Sequence, residues 1–334
     1  MSHAIKLPTV FKQPIVIGLM ALVLVACSGG GGSAPASNSV DASVGAQTET
    51  ETETETETET ETETETTTPD SITSLTGNTS PESYSGYSLL WSDEFSGSAL
   101  DDSKWGYDIG GDGWGNNELQ YHGTENASVE GGYLIIEARE ESFGGRSYTS
   151  SRINTKDKFS FKYGRVDIRA ALPEGKGLWP ALWMLGQNFS TVSWPYCGEI
   201  DIMEMVGGNG LENRTVGTAH WNNGGVYESN GTTKKPYAPV SYGDNYSLSG
   251  TETLANAFHI FGLTWTPDSI TWYIDGVQYH TMAIDSSASL SAFQKDFFLI
   301  FNVAVGGDWP GSPDANTVFP QRMLVDYVRV FQQN

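Results

Sequence analysis

The sequence predicts an all-β fold of two packed antiparallel sheets, and three observations support this prediction. From residue 85 onward, short runs of β-branched and aromatic residues alternate with period two and are separated by Gly, Asn, Asp and Pro. The chain has 38 glycines and 12% aromatic residues, which is typical of many strands joined by tight turns. No helical pattern exceeds about two turns. Because no internal repeat or second domain is evident, residues 85–334 form one predicted domain, within the ~250 residues that a β-sandwich can reach.

The first element of the chain, residues 1–27, has the pattern of an export signal, with a basic start and an apolar run over residues 15–26. That run is shorter than the ~20 residues that span a bilayer as a helix. Its end, Leu-Val-Ala-Cys27, resembles the lipobox of bacterial lipoproteins, in which the cysteine is lipidated. The resemblance implies an exported protein, anchored in the outer membrane or extracellular, and Ser28 favours the outer membrane. The alternative is an ordinary signal peptide cut nearby, which would leave no anchor.

The second element, residues 28–84, contains no material for a core. A Thr-Glu alternation over residues 48–66 holds nine glutamates. A polar tract of like charges cannot offset the entropy lost on ordering, and its charges repel one another. We therefore predict a disordered Thr/Glu-rich linker between the export signal and the domain.

Net charge and cysteine content exclude other classes of protein. The formal charge is −23 and no basic cluster is longer than Lys234-Lys235, so we expect no nucleic-acid partner. Two cysteines cannot form a disulfide-rich scaffold. Cys197 has no base partner in sequence, so we interpret it as a buried small hydrophobe rather than a nucleophile. We expect a monomer that touches the membrane only through a lipidated Cys27.

The third element is the β domain, in which five segments show the strand pattern clearly. These segments are residues 132–138, 163–170, 258–265, 270–274 and 323–331. Asp275-Gly276 lies between two apolar runs, which is a strong signal for a two-residue hairpin turn.

One predicted strand, residues 199–204, carries three acids. Glu199 and Asp201 are two positions apart, so their side chains share one face, and the intervening isoleucines face the core. Glu204 breaks this alternation and would face the core unpaired, at a cost of several kcal/mol. A β-bulge with one extra residue, most simply Met203, would return Glu204 to the acidic face.

Three clustered acids repel one another, which raises the pKa of at least one and leaves another ionised. Retaining glycoside hydrolysis needs this combination, with one protonated carboxyl and one carboxylate ~5–5.5 Å apart. A solvated polar face on an edge strand is one alternative. A metal site is another, but carboxylates without a nearby histidine bind zinc poorly, and only His220 is close in sequence.

Tryptophans surround the acidic strand in sequence. Trp179, Trp183 and Trp194 precede it, Trp221 follows it, and Trp114 and Trp309 lie in Gly-rich loops. Aromatic rings stack on the apolar faces of sugar rings, and large rings on loops favour binding. Core packing explains Trp183 as well as binding does, whereas Trp114 and Trp309 favour binding.

Eight segments carry a family resemblance that covers nearly all of residues 87–332. They are residues 91–95, 113–120, 148–152, 177–183, 198–204, 218–221, 304–311 and 325–330. Together and in this order they resemble glycoside hydrolase family sixteen, in its laminarinase (endo-1,3-β-glucanase) branch. The extra residue between Glu199 and Glu204 resembles the bulged form that laminarinases share with agarases and carrageenases, rather than the shorter form of lichenases.

The resemblance implies a concanavalin A-like jelly-roll sandwich with a substrate cleft on its concave face, and endo-acting, retaining cleavage of internal β-1,3-glucosidic bonds. Glu199 would be the nucleophile, Glu204 the general acid/base, and Asp201 the residue that orients or tunes the nucleophile. The residues that fall on cleft positions are Asn116, Arg152, Trp179, Trp194, His220 and Trp309. Arg152 would donate to sugar hydroxyls or to Glu199, with a surface salt bridge as the alternative. His220 has an alternative role as a structural partner of Asp201.

The resemblance also implies a structural Ca²⁺ in some members of the family, and no cofactor required for catalysis. By position, the ligands here would be the side chain of Asp326 and the main-chain oxygens of Glu94 and Gly132, hard ligands that suit Ca²⁺.

Two other functions are compatible with the sequence. The same fold and mechanism could act on mixed-linkage β-glucan, agar or carrageenan. Sulfated galactans are polyanions, and residues 85–334 hold 29 acidic but 16 basic residues, which disfavours carrageenan. A carbohydrate-binding surface protein without turnover is the other function, but a binder has no need of three acids on a bulged strand.

Overall fold

A computed structural model of the chain describes residues 75–224 and 237–334. The export signal and most of the predicted linker lie outside the described residues. In chain order the strands are β1 Tyr87–Asp93, β2 Gly106–Tyr107, β3 Gln120–His122, β4 Ala127–Glu130, β5 Tyr133–Ala138, β6 Tyr148–Ser150, β7 Arg152–Asn154, β8 Gly164–Ala171, β9 Leu178–Gly186, β10 Glu199–Glu204, β11 Arg214–Asn222, β12 Pro239–Ser247, β13 His259–Trp265, β14 Ser269–Ile274, β15 Val277–Ala283, β16 Phe297–Val305 and β17 Gln321–Gln333. One turn of helix, α1 Phe189–Val192, and a 3₁₀ turn, Ser291–Gln294, complete the described elements. No helix in these described ranges is long and apolar enough to cross a bilayer.

The strands form two large antiparallel sheets. The order in the eight-stranded sheet is β15-β14-β13-β8-β17-β5-β4, with β1 also paired to β17. The order in the seven-stranded sheet is β12-β11-β10-β9-β16-β7-β2, and β3 and β6 form a small parallel pair. One large apolar cluster takes buried side chains from both large sheets, so the core lies between them. This confirms the predicted all-β jelly-roll sandwich.

The five segments with the clearest strand pattern all lie in strands, namely β5, β8, β13, β14 and β17. The predicted hairpin turn is also confirmed, because Ile274 pairs with Val277 across Asp275-Gly276. Both turn residues have positive φ, 50° and 78°, as a type I′ turn requires. Local alternation and turn chemistry therefore suffice to place these strands.

The domain begins earlier than we predicted. Residues 75–84, which we call the strap, fall within the predicted linker but lie against the eight-stranded sheet. In the strap, the Asn78 amide donates to the Phe258 carbonyl at 2.9 Å, and the Ser80 amide donates to the Tyr327 hydroxyl at 2.7 Å. The Tyr84 hydroxyl donates to Asp167 at 2.6 Å. The polar strap carries no apolar periodicity, and these partners are distant in sequence, so the pattern alone could not reveal them.

We expect the strap to contribute measurably to stability. Each of the three hydrogen bonds is worth about 1 kcal/mol, and each kcal/mol shifts Tm by about 2–4 °C in a domain of this size. Deleting residues 75–84 from the full chain should therefore lower Tm by roughly 5–10 °C in a thermal melt. The matched control deletes ten residues of the Thr-Glu tract, 51–60, and should leave Tm unchanged. Equal melting of both deletions would show that the strap contributes nothing.

Candidate active site

Strand β10 contains the predicted bulge, one residue earlier than expected. Opposite β9, Asp201 and Met203 pair with adjacent residues, so Ile202 is the extra residue, not Met203. Ile202 and Met203 are both buried in the core, and either could be the extra residue on apolar character alone, so sequence could not choose between them. The consequence is as predicted: Glu204 shares a face with Glu199 and Asp201, which we call the acidic face.

Strand β9 supplies a hydrogen-bond donor to Glu204. The indole Nε1 of Trp179 donates to Glu204 Oε1 at 3.0 Å. The Trp179 ring also meets the Trp309 ring edge to face, with centroids 5.4 Å apart. Trp309 is 43% exposed, so it presents a large aromatic surface to solvent beside the acids. The structure therefore brings together two of the predicted binding residues and one predicted catalytic acid.

Strand β11 places His220 directly opposite Glu199. The His220 Nε2 atom is 3.1 Å from Asp201 Oδ2 and 3.7 Å from Glu199 Oε1. His220 therefore contacts Asp201 more closely than it contacts Glu199, which favours the interpretation of His220 as a partner of Asp201. Trp194 lies near it, 38% exposed and with its ring centroid 6.5 Å from that of His220.

Arg152 lies between two aromatic rings. Its guanidinium carbon is 4.8 Å from the centroid of the Trp114 ring and 4.7 Å from that of Trp183. Its Nε donates to Asp108 Oδ2 at 3.0 Å. The two cation–π contacts and this hydrogen bond together orient the guanidinium. Trp183 is half-buried, and its Nε1 donates to Asn302 at 2.8 Å. Its ring therefore lies on the acidic face, where it contacts Arg152, and does not fill the main core.

A buried polar network lies behind Asn116, and the sequence patterns above did not predict it. Asn116 donates to Glu118 Oε1 at 3.1 Å, and Gln120 donates to Glu118 Oε2 at 2.6 Å. Gln120 Nε2 also lies 2.9 Å from His122 Nε2. Burial raises the pKa of Glu118 and lowers that of His122 well below its usual range. The signal was present in sequence, since residues 118, 120 and 122 are polar at every second position.

The electrostatics of the acidic face follow from burial and proximity. Burial, with repulsion from Asp201 as the next cause, raises the pKa of Glu199 and of Glu204 to about 8. Burial also raises the pKa of Asp201 well above its usual range. His220 opposes the increase at both glutamates. The three acids therefore hold protons near neutral pH and ionise in coupled steps, and a carboxylate lies beside a protonated carboxyl once the first proton has left.

Cys197, two residues before Glu199, is buried and free. Burial and the neighbouring Glu199 raise the pKa of its thiol to about 12, so it is a poor nucleophile at neutral pH.

The predicted calcium ligands fit that ion poorly. Asp326 supplies the one carboxylate of the set, and its Oδ2 already accepts from Arg169 Nη1 at 2.8 Å. The other two predicted ligands are main-chain oxygens of Glu94 and Gly132. Ca²⁺ prefers six to eight oxygen ligands, several of them charged, and here a guanidinium already balances the single carboxylate. Elsewhere in the described residues, Glu199, Asp201 and His220 lie close enough to hold a metal ion, but they are the proton-sharing groups of the acidic face.

Family comparisons agree with this geometry. A family model described as glycosyl hydrolases family 16 matches residues 115–329, which include all three acids of β10. A second model, described as beta-glucan synthesis-associated protein SKN1/KRE6/Sbg1, matches residues 16–197 and ends before Glu199.

Individual relatives point the same way. A beta-glucanase of Rhodothermus marinus is 41% identical over 273 residues, covering 78% of this chain and 90% of that protein. Glucan endo-1,3-beta-glucosidase A1 of Niallia circulans is 39% identical, and the match covers 77% of this chain but 39% of that longer protein. The crystal structure of the laminarinase catalytic domain from Thermotoga maritima MSB8 matches with a TM-score of 0.66 and 46% identity, covering 74% of this chain and 99% of that domain.

Proposed function

The chain belongs to glycosyl hydrolase family 16, and from that premise we propose that it is an endo-acting β-glucanase. It hydrolyses internal β-1,3-glucosidic bonds of laminarin-type glucans with retention of configuration. The observation that carries this proposal is the bulged strand β10, which presents Glu199, Asp201 and Glu204 on one face between Trp179 and His220. Two of these acids, Glu199 and Glu204, are the carboxyls that double displacement requires, and the aromatic residues around them suit a sugar polymer.

The first step of the reaction breaks the glycosidic bond. Protonated Glu204 gives its proton to the leaving oxygen while the Glu199 carboxylate attacks the anomeric carbon, forming a glycosyl ester with Glu199. In the second step, ionised Glu204 takes a proton from water, the water oxygen attacks the same carbon, and the Glu199 carboxylate leaves. Two inversions give net retention.

The residues around Glu199 and Glu204 set the protonation of the two carboxyls. Arg152 and His220 lower the pKa of Glu199, which favours the carboxylate form that attacks. Burial and repulsion by Asp201 raise the pKa of both glutamates to about 8, so Glu204 can hold the proton that it donates near neutral pH. Among the charged neighbours, Arg152 lowers the pKa of Glu199 but not that of Glu204, so it favours the carboxylate form of the nucleophile alone.

We expect Trp179→Phe to move the pH profile. The Trp179 N–H lowers the pKa of Glu204 by donating to it. Removing the donor should raise that pKa further, so Glu204 keeps its proton to higher pH and the alkaline limb of kcat shifts upward. We expect kcat to fall by roughly 10-fold, because the N–H also orients the carboxyl. The matched control is Trp309→Phe, which removes an indole beside Trp179 without a bond to Glu204. An upward shift in both variants would contradict this role of the hydrogen bond.

Substrate is tested by measuring sugar release by the full chain on unsulfated β-1,3-glucan, mixed-linkage β-1,3-1,4-glucan and agarose, with Glu204→Gln alongside. Oligosaccharides from β-1,3-glucan that disappear in the variant would support the proposal. Activity on agarose alone would keep the mechanism and overturn the substrate. Binding without release on all three would indicate a carbohydrate-binding protein instead.

No metal ion enters the steps above, so we propose that EDTA leaves the rate unchanged.

We also propose that the chain is exported as a monomer and held at the outer membrane by a lipidated Cys27. The support is the lipobox-like segment that ends at Cys27 and the polar linker that follows it. Metabolic labelling with an alkyne fatty acid in a Gram-negative host should label the wild-type chain but not Cys27→Ser. Equal labelling of the two would overturn the anchor.

A further inference from the structure

The bulge in β10 interrupts the hydrogen-bond ladder at Asp201. Strand β10 pairs with both flanking strands, β9 and β11, up to Asp201, and this pairing resumes only after the extra residue. A buried carbonyl at such an interruption needs another donor, because an unpaired one costs free energy. The donor comes from the opposite sheet: the indole Nε1 of Trp272, on β14, donates to the main-chain oxygen of Asp201 at 2.7 Å. A side chain of the eight-stranded sheet thus crosses the core to the catalytic strand.

The surroundings of Trp272 hold its ring in place. Trp272 is 0% exposed, and its ring centroid lies 4.7 Å from that of His280. Gly217 also lies next to the ring, on β11 opposite the bulge, between the residues paired with Asp201 and Glu204. A Cβ atom on Gly217 would lie 2.4 Å from Trp272 Cδ1, closer than packed carbon atoms approach. The absence of a side chain at Gly217 therefore gives the indole its space beneath the bulge.

We propose that Trp272 is a positioning residue for the reaction: its N–H holds the Asp201 carbonyl, and thereby fixes the bulge that sets Glu204 relative to Glu199. Glu199 precedes the bulge and Glu204 follows it, so their relative position depends on the backbone between them. Trp272 touches no substrate and acts through the backbone alone. The proposal rests on the acid and nucleophile roles assigned above, because only they make the relative position of the two carboxyls matter.

The test compares Trp272→Phe with Trp265→Phe in the full chain. Trp265, on neighbouring β13, is a matched control: it is 1% exposed, and its Nε1 donates to a main-chain oxygen, that of Phe293, at 3.1 Å. Both variants remove one buried indole N–H from one carbonyl, so both should lower Tm. On β-1,3-glucan we expect kcat of Trp272→Phe to fall at least about 10-fold with KM within about twofold, because small displacements of catalytic groups are costly. Trp265→Phe should keep kcat within about twofold of wild type.

The outcomes are distinguishable from failure of the proposed function. If the wild-type chain releases no sugar from β-1,3-glucan, the function fails first. If it does, and both variants lose kcat equally or neither does, Trp272 has only a structural role and the inference is overturned. Should Trp272→Phe not fold, 3-benzothienylalanine incorporated at position 272 keeps the shape of the side chain without the N–H. The same loss of kcat in that protein would support the inference, and wild-type kcat would overturn it.

Discussion

Replacing Glu199 with alanine is expected to lower kcat on β-1,3-glucan by at least about 10⁴-fold, a loss of the size seen when a catalytic nucleophile is removed. The carboxylate of Glu199 forms the covalent intermediate. Asp201 and Glu204 occupy other positions of strand β10, so neither can take its place. Burial and repulsion from Asp201 raise the pKa of Glu199, so its removal relieves a cost of folding and should leave the fold intact. Initial rates of sugar release and a thermal melt measure the two effects.

A small anion should partly replace the missing carboxylate. Removing the Glu199 side chain beyond Cβ leaves space at the anomeric carbon, and Glu204 is still present to protonate the leaving oxygen. Azide should therefore restore turnover in Glu199→Ala and give a product of inverted configuration, since one displacement replaces two. Proton NMR of the product identifies the anomer. The matched control is Glu94→Ala, which removes a carboxylate paired with Arg329 away from β10 and should retain wild-type activity. Wild-type rates in Glu199→Ala would exclude it as the nucleophile.

The second large effect is expected from Glu204→Gln, which should lower kcat on glucan by about 10²–10⁴-fold, the usual contribution of a general acid/base. An aryl glycoside with an acidic leaving group needs no proton in the first step, so its glycosylation should be much less impaired. The alkaline limb of the pH profile, where Glu204 with its pKa of about 8 loses its proton, should disappear in the variant. If the alkaline limb persisted in Glu204→Gln, another group would have to be the acid.

The effect of Glu204→Gln on the stability of the fold should depend on pH. Folding raises the pKa of Glu204 to about 8, above the ~4.3 of an unfolded glutamate. The folded state therefore binds this proton more tightly, and stability is lost as pH rises from about 4.3 through 8. Glutamine does not titrate, so the Tm of Glu204→Gln relative to wild type should be higher at pH 9 than at pH 5. An equal difference in Tm at both pH values would contradict the assigned pKa increase.

Much of the site was predictable because the decisive signals are local. Glu204 breaks the alternation set by Glu199 and Asp201, and the cost of burying an unpaired acid is enough by itself to require a bulge between them. The tryptophans near these acids in sequence include Trp179, which does contact Glu204. The position of the extra residue was less accessible, because Ile202 and Met203 are equally apolar and the partner strand decides which one is added.

Other parts of the site depend on contacts between residues far apart in sequence. Arg152 is held between Trp114 and Trp183, which come from different segments of the chain. The strap residues resemble linker because their partners, such as Phe258 and Tyr327, lie far along the chain. In the sequence, Trp272 looks like any other apolar residue of an alternating strand. Only the hydrogen bond from its indole N–H to the Asp201 main-chain oxygen distinguishes it from other core tryptophans.

The sequence by itself determined the all-β class, the turn at Asp275-Gly276 and the presence of three acids on one bulged strand. These features follow from period-two alternation, turn chemistry and the cost of a buried charge, which act between residues near one another in the chain. Tertiary structure alone decided which residue bulges, that His220 contacts Asp201, and that Trp272 supports the strand from the opposite sheet. Those features depend on strand register and on packing between sheets, which join residues whose separation in sequence carries no local signal.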